Sequence, residues 1–153
     1  MKDHIKKNAS IIISASWVFA SGPEDQLLSD YAVVIENDKI IDLVPQNKVF
    51  DEYEAHNTYQ LTDHILIPGL INAHTHAAMS LFKGFADDVP LQDWLNNHIW
   101  PAEKKFVNSS FVKDGSLLAL SEMLKSGITT FNDMYFFPDA TAEAAKELGV
   151  RGN

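Results

Sequence analysis

The amino-acid sequence predicts an α/β fold, and three features of the chain indicate it. Roughly the first 60 residues are rich in the β-branched and aromatic residues that favour strands. From residue 65 onward the pattern becomes strand, helices, strand, helix, which is the alternation typical of α/β proteins. Within it, the run "ILIPGLINAHTH" is almost continuously apolar, as in a strand buried on both faces of a parallel sheet or barrel. We therefore predict a β portion over residues 1–64 and a β/α portion over residues 65–153.

The β portion opens with the apolar run "IIISASWVFA", for which we predict a strand over residues 11–19. Lys2, Lys6 and Lys7 before this run leave a secretory signal as the alternative. Asp3 among those basic residues and the serines that interrupt the run favour the strand, which implies a cytoplasmic protein. No apolar run approaches the roughly 20 residues that are needed to cross a membrane.

A hairpin is predicted next in the β portion. Asn37 and Asp38 separate two β-branched runs in "YAVVIENDKIIDLV", and both residue types tolerate the positive φ of a tight turn. The segment between this hairpin and residue 65 is mostly polar.

The β/α portion contains two helices with recognisable ends. In "NSSFVKDGSLLALSEMLKSG", Ser109 or Ser110 can serve as the N-cap, and Gly127 ends the helix. The strand "ITTFNDMYF" follows it. The second helix lies in "PDATAEAAKELG", with Pro138 near its first position and Gly149 at its end. The final residues, "VRGN", begin a further strand.

Composition excludes several classes of function. Hydrophobic content of 46% and charged content of 22% are globular values. The net charge of -9 argues against a nucleic-acid-binding surface, which needs clustered Lys and Arg. The chain has no cysteine, so disulfides and thiolate metal sites are both excluded. Any metal ion would have to be held by His, Asp and Glu.

Two histidines, His74 and His76, lie at the end of the apolar run. On a strand, residues i and i+2 point to the same side, so both imidazoles would face one spot while Thr75 faces away. Neutral imidazoles suit Zn²⁺ and similar ions, and the carboxyl end of a barrel strand is where such folds keep their active sites. The spacing alone is weak support, because pairs of this kind also arise by chance among six histidines.

The length of the chain bounds what it can contain. A complete (β/α)8 barrel takes about 250 residues, and these 153 residues hold at most two of its eight units. We therefore expect the chain to be part of a longer protein.

The stretch "PGLINAHTHAAMSLFKGFADDVPLQDWL" resembles the first barrel strand and following segment of the amidohydrolase superfamily. Within that superfamily it is most similar to deaminases of S-adenosylhomocysteine and methylthioadenosine and to triazine hydrolases. The β portion resembles the small β-sandwich that precedes the barrel, and "SGITTFNDMYFFPDAT" resembles the second barrel strand. The resemblance covers nearly the whole chain. It implies part of a β-sandwich followed by the N-terminal part of a metal-dependent (β/α)8 TIM-type barrel, which is incomplete here.

The resemblance also implies a function, a metal-dependent hydrolase that deaminates an adenosine thioether. In the family, the two histidines of the first strand bind one divalent metal ion together with residues from later strands, and the resemblance implies Zn²⁺ for this chain. His74 and His76 would take those ligand roles, and the other ligands and catalytic groups are expected beyond Asn153. Residues 1–153 alone are therefore expected to be inactive.

Two residues of the following segment are candidate substrate contacts. By resemblance, Glu103 would accept hydrogen bonds from the ribose hydroxyls, although an acid beside Lys104 and Lys105 could equally be a solvated helix end. Trp94 could stack on a purine or its substituent, or else belong to the core. Trp100 is expected to pack.

The remaining polar candidates have structural interpretations. Asp133, at the end of the second barrel strand, is predicted to fix a loop by a hydrogen bond. Surface or hydrogen-bonded positions are expected for the unpaired histidines His4, His56, His64 and His98.

Two alternatives to the thioether deaminase stay open. One is a triazine or guanine-type aminohydrolase of the same superfamily, and the other is an inactive fragment or assembly module. The expected partner is a small-molecule substrate, with no nucleic acid and no membrane, and a homo-oligomer is compatible with each alternative.

Overall fold

The computed structural model of the protein describes residues 5–153, so Lys2, Asp3 and His4 lie outside the described residues. The chain forms two compact units, of which the first ends at Pro68 and the second runs from Gly69 to Asn153. The assignment of residues 1–64 to a β-sandwich portion and of residues 65–153 to barrel units stays a prediction.

The first unit is built on a four-stranded sheet with the strand order β3-β2-β1-β4. Strand β1 pairs antiparallel with β2 and parallel with β4. A short helix, α1, follows β3. The elements are β1 (Lys7–Ala20), β2 (Gln26–Glu36), β3 (Lys39–Pro45), α1 (Gln46–Glu52) and β4 (Tyr53–Leu66).

Two predictions in the first unit are confirmed. The strand expected over residues 11–19 is the greater part of β1, where Ile12 is fully buried against Val34 of β2 and Val49 of α1. The expected hairpin joins β2 to β3, and Asn37 adopts a φ of 55° in its turn. Asparagine tolerates this left-handed conformation better than most residues, because its short side chain bonds locally.

Residues 46–66 contain α1 and the 14-residue strand β4, most of whose side chains are exposed. Neither element was predicted, because this segment is mostly polar. The apolar run over residues 65–76 is divided between two strands. Strand β4 ends at Leu66 and the next strand begins at Leu70, because Pro68 between them lacks the N–H that a ladder needs.

The second unit is a three-stranded parallel sheet with helices, which confirms the predicted α/β alternation. The strand order is β5-β6-β7. Within residues 5–153, Ile71 of strand β5 is 71% exposed. In chain order the elements are β5 (Leu70–Thr75), a 3₁₀ helix (Ala77–Phe82), α2 (Leu91–Asp93), a π-helical turn (Trp94–Ile99), α3 (Trp100–Phe106), α4 (Ser109–Lys125), β6 (Ile128–Asp133), α5 (Pro138–Leu148) and β7 (Arg151–Gly152).

The ends of α4 and α5 are largely as predicted. Gly127 and Gly149 follow the two helices with φ of 81° and 69°, which glycine adopts without strain. The N-cap of α4 is a correction, because the Asn108 side chain, and neither of the following serines, accepts the hydrogen bond from the Phe111 N–H. Asn108 lies in the extended conformation that a capping residue requires, and asparagine caps helices as well as serine does.

Helix α4 packs very closely against the 3₁₀ helix at Gly115. A Cβ atom at this position would lie 2.6 Å from the carbonyl oxygen of Ala78 and 2.9 Å from its Cα atom. These are backbone atoms that cannot rotate away, so an added methyl group would push the two helices apart.

We expect Gly115→Ala to destabilise the protein by about 1–3 kcal/mol, the usual cost of overpacking a well-packed interior. The midpoint of thermal unfolding would measure the effect. Gly22→Ala is the matched control, because nothing lies within 4 Å of a Cβ there. Equal midpoints for the two variants would contradict the described packing of α4.

Among the described residues, no helix has both the length and the apolar character required to span a membrane.

Candidate metal and substrate site

The histidine pair lies where β5 ends and the 3₁₀ helix begins. His74 is the penultimate residue of β5, and His76 immediately precedes the 3₁₀ helix. The two ring centroids are 5.0 Å apart, with the ring planes at 78°. The structure thus brings both predicted ligands together.

The residue that follows strand β6 fixes the orientation of the His76 ring. The His76 Nδ1 atom lies 2.6 Å from the carbonyl oxygen of Met134, the residue after β6. Because a carbonyl oxygen only accepts, Nδ1 must carry the proton and donate it. The other ring nitrogen, Nε2, is then left with a free lone pair, which is the arrangement that metal-binding histidines commonly show.

Two further hydrogen bonds hold the ends of β5 and β6 together. The Asp133 carboxylate accepts from the Ala77 N–H at 2.8 Å, which confirms the loop-fixing role predicted for Asp133. The Met134 N–H donates to the Thr75 carbonyl at 3.1 Å. The backbone on both sides of His76 is therefore tied to the end of β6.

This donor pair fits a zinc-like ion. Neutral imidazole nitrogens are among the ligands that zinc takes, and the two rings lie with their centroids 5.0 Å apart. A catalytic zinc site usually has three protein ligands, so two nitrogen donors alone do not complete it. Among residues 5–153, no group of three or more His, Asp or Glu side chains is arranged to hold a metal ion.

A cavity of about 510 Å³ opens beside His76. It brings His76 together with both predicted substrate residues, Trp94 and Glu103, whereas His74 is not part of its wall. Its lining is mostly apolar and aromatic, as in typical small-molecule sites. The lining residues are His76, Met79, Trp94, Leu95, Ile99, Trp100, Glu103, Met134, Tyr135 and Phe136.

The predicted aromatic residues of this cavity lie on its helical side. Trp94 is half-buried, and its indole N–H points to the Phe85 carbonyl at a long 3.4 Å. Trp100, which was expected to pack, is 52% exposed and also lines the cavity. The expectation for Trp100 was wrong, because the face of the helical segment that carries it opens into the cavity.

Glu103 has a specific partner that the sequence did not indicate. The Tyr135 hydroxyl donates to Glu103 Oε1 at 2.8 Å. Burial raises the pKa of Tyr135 above its ordinary value, and the hydrogen bond to the nearby Glu103 carboxylate raises it further. The hydroxyl therefore stays protonated and acts as a donor throughout the neutral pH range.

A second cavity of similar size, about 570 Å³, lies between β6, β7 and α5. It contains neither histidine of the pair and neither Trp94 nor Glu103. The cavity beside His76 is therefore the candidate site, because it brings His76, Trp94 and Glu103 together.

The other predicted polar positions are unremarkable in their surroundings. His64 is exposed and its Nδ1 lies 2.6 Å from the Thr62 carbonyl. His98 lies 3.9 Å from Asp93. His64 therefore matches the expectation of a surface or hydrogen-bonded histidine, whereas His98 is half-buried and lies beyond hydrogen-bond distance of Asp93.

Comparison with known proteins gives consistent matches over most of the chain. The profile of the Amidohydrolase family matches residues 65–152. The 5-methylthioadenosine/S-adenosylhomocysteine deaminase of Saccharophagus degradans is 48% identical over 146 residues, which cover 95% of this chain and 33% of that protein. The 5'-deoxyadenosine deaminase of Methanosarcina barkeri is 44% identical over 146 residues, covering 95% of this chain and 32% of that protein.

A solved structure is similar over nearly the whole chain. The crystal structure of an adenosine deaminase from Xanthomonas campestris with bound zinc matches with a TM-score of 0.93 and 38% identity, over 97% of this chain and 34% of that one. The present chain thus spans about a third of the length of the curated relatives it matches.

Proposed function

This chain belongs to the amidohydrolase family, and on that premise we propose that the full-length protein is a metal-dependent deaminase of adenosine thioethers. The proposed substrates are 5-methylthioadenosine and S-adenosylhomocysteine. One observation carries the proposal: a single cavity contains the candidate metal ligand His76 and the candidate sugar-binding carboxylate Glu103. A nucleoside deaminase needs both groups in one site, one for the ring and one for the ribose.

His74 and His76 are the proposed ligands of one divalent ion, which we propose to be zinc. Their paired nitrogen donors suit zinc, and the similar structure from Xanthomonas campestris contains it. His76 would bind through Nε2, because the Met134 carbonyl keeps the proton on Nδ1. When bound, such an ion supplies the nucleophile at neutral pH by lowering the pKa of water toward about 7.

The proposed reaction is hydrolytic deamination of the purine ring. Water adds its oxygen to the amino-bearing carbon, and the bond from that carbon to the amino group breaks. One water proton leaves with this group as ammonia, and the other stays on the product ring. The apolar lining of the cavity would exclude bulk water and accept the flat ring, with Trp94 as the proposed stacking partner.

Glu103 is the residue proposed to bind the ribose hydroxyls. An ionised carboxylate has about four acceptor positions, and Tyr135 occupies one of them at Oε1. The remaining positions can accept both hydroxyls of a vicinal diol. A substrate without these hydroxyls would leave the half-buried carboxylate desolvated and unpaired, which is a strong basis for rejection.

A second candidate substrate is 5'-deoxyadenosine, which the similarity to the Methanosarcina barkeri protein favours. It keeps the purine and both ribose hydroxyls and lacks only the thioether, so the same site would accept it. A cytoplasmic location and the absence of a nucleic-acid or membrane partner stay predictions.

A substrate panel tests this proposal on the zinc-loaded full-length protein. We expect kcat/KM for 5-methylthioadenosine to exceed that for its 2',3'-dideoxy analogue by at least about a hundredfold, the discrimination that a site built to bond hydroxyls can supply. Ammonia release would be measured for both compounds and for guanine, a triazine and 5'-deoxyadenosine. A preference for guanine or the triazine would contradict the nucleoside assignment.

A further inference from the structure

Tyr135 connects the two halves of the candidate site. Its hydroxyl donates to Glu103 Oε1 at 2.8 Å, although the two residues are 32 positions apart in the chain. Its ring lies beside the His76 ring, with centroids 6.2 Å apart. The adjacent residue, Met134, supplies the carbonyl that accepts from His76 Nδ1. Of the two consecutive residues after β6, Met134 thus contacts the candidate metal ligand His76, and Tyr135 contacts the candidate ribose-binding residue Glu103.

This hydrogen bond limits the freedom of the Glu103 side chain. A glutamate side chain has several rotatable bonds, and ordering it on ligand binding costs free energy that lowers affinity. When one oxygen of the carboxylate is already held by a hydrogen bond, ordering the side chain on ligand binding costs less free energy. The bond uses only one lone pair of Oε1, so it leaves acceptor positions on both oxygens for a ligand.

A similar hydrogen bond in the first unit provides a comparison. The Tyr53 hydroxyl donates to Asp42 Oδ2, also at 2.8 Å. Tyr53 is only 3% exposed and packs in a core cluster with Ile12 and Val49. This bond therefore supports the packing of a sheet, whereas the acceptor of Tyr135 lines an open cavity.

We propose that Tyr135 is a positioning residue, which holds the Glu103 carboxylate in place for the ribose hydroxyls and so contributes to the selection of nucleosides over free bases. The inference rests on the proposed deaminase function and deepens it. In this arrangement the Met134–Tyr135 segment sets the distance between the proposed metal ligand His76 and the proposed ribose-binding residue Glu103.

The test uses Tyr135→Phe in the zinc-loaded full-length protein, because phenylalanine keeps the ring and removes only the hydroxyl. We expect kcat/KM for 5-methylthioadenosine to fall about tenfold, mainly through KM, as for the loss of one hydrogen bond to a charged group. Activity on the 2',3'-dideoxy analogue and zinc content should not change. In a Glu103→Ala background, Tyr135→Phe should have no further effect, because the group that it positions is gone.

Tyr53→Phe is the matched control, since it removes the same kind of bond in the first unit. It should lower the thermal midpoint without changing the preference for the diol. The inference is overturned if Tyr135→Phe leaves that preference intact, or if it lowers activity on both substrates equally. If the wild-type protein shows no preference for 5-methylthioadenosine over its 2',3'-dideoxy analogue, the proposed function itself is overturned. This comparison needs no variant, so the two failures can be told apart.

Discussion

Replacing either His74 or His76 with alanine should remove zinc and activity together from the full-length protein. Each proposed ligand supplies one of the two nitrogen donors at the end of β5, and their ring centroids are 5.0 Å apart. Loss of one donor leaves too few ligands for a catalytic zinc site, which usually has three from the protein. Because a bound metal ion contributes several kcal/mol to the transition state, activity should fall by roughly a thousandfold or more. Metal analysis of the purified variants and their turnover of 5-methylthioadenosine would measure both effects.

His64→Ala is a suitable control for this experiment. Like His76, His64 has Nδ1 at 2.6 Å from a backbone carbonyl, but it lies on β4 of the first unit and is not a proposed ligand. Its replacement should leave both zinc content and activity unchanged. Full zinc occupancy in the variants at positions 74 and 76 would exclude the pair as ligands.

Replacing Glu103 with alanine should leave zinc in place but reduce the use of nucleosides. We expect a loss of roughly 2–4 kcal/mol in kcat/KM for 5-methylthioadenosine or S-adenosylhomocysteine, the range for truncating one partner of a buried charged contact. The physical reason is that both ribose hydroxyls would lose their acceptor in a cavity with a mostly apolar lining. Steady-state kinetics beside metal analysis would measure this loss.

The comparison substrates make this prediction specific. Activity on a free base or a triazine should barely change in Glu103→Ala, since these rings carry no ribose. Glu122→Ala is the control variant, because Glu122 is an exposed acid that pairs with Lys83 on the surface. An equal loss on nucleosides and free rings would mean that Glu103 acts on something other than the sugar.

The sequence was a good guide to elements that carry a periodic apolar pattern or a marked end. Strand β1, the hairpin at Asn37 and the termination of α4 at Gly127 all belong to this class. Strand β4 does not, because its residues are mostly polar and exposed and it is held by parallel backbone pairing with β1. Backbone pairing does not require apolar side chains, so the sequence of such a strand contains no hydrophobic pattern from which it could be predicted.

The site was foreseen to the extent that its residues carry chemistry recognisable from type and spacing. His74 and His76 were recognised from their spacing together with their position at the end of an apolar run, and the family resemblance pointed to Glu103. Tyr135 did not stand out, because an aromatic residue after "ITTFND" is also typical of a strand. Its importance depends on a contact across 32 residues of chain, which no local pattern encodes.

The acceptor that orients His76 belongs to the main chain, and this has an evolutionary consequence. Every residue presents a carbonyl, so the side chain at position 134 can change during divergence while the bond to Nδ1 persists. Met134 lines the cavity, so a different side chain at this position would reshape the proposed pocket. Divergence at this position would thus alter the proposed substrate site without first losing the proposed metal ligand, which is a route by which one scaffold comes to serve many related functions.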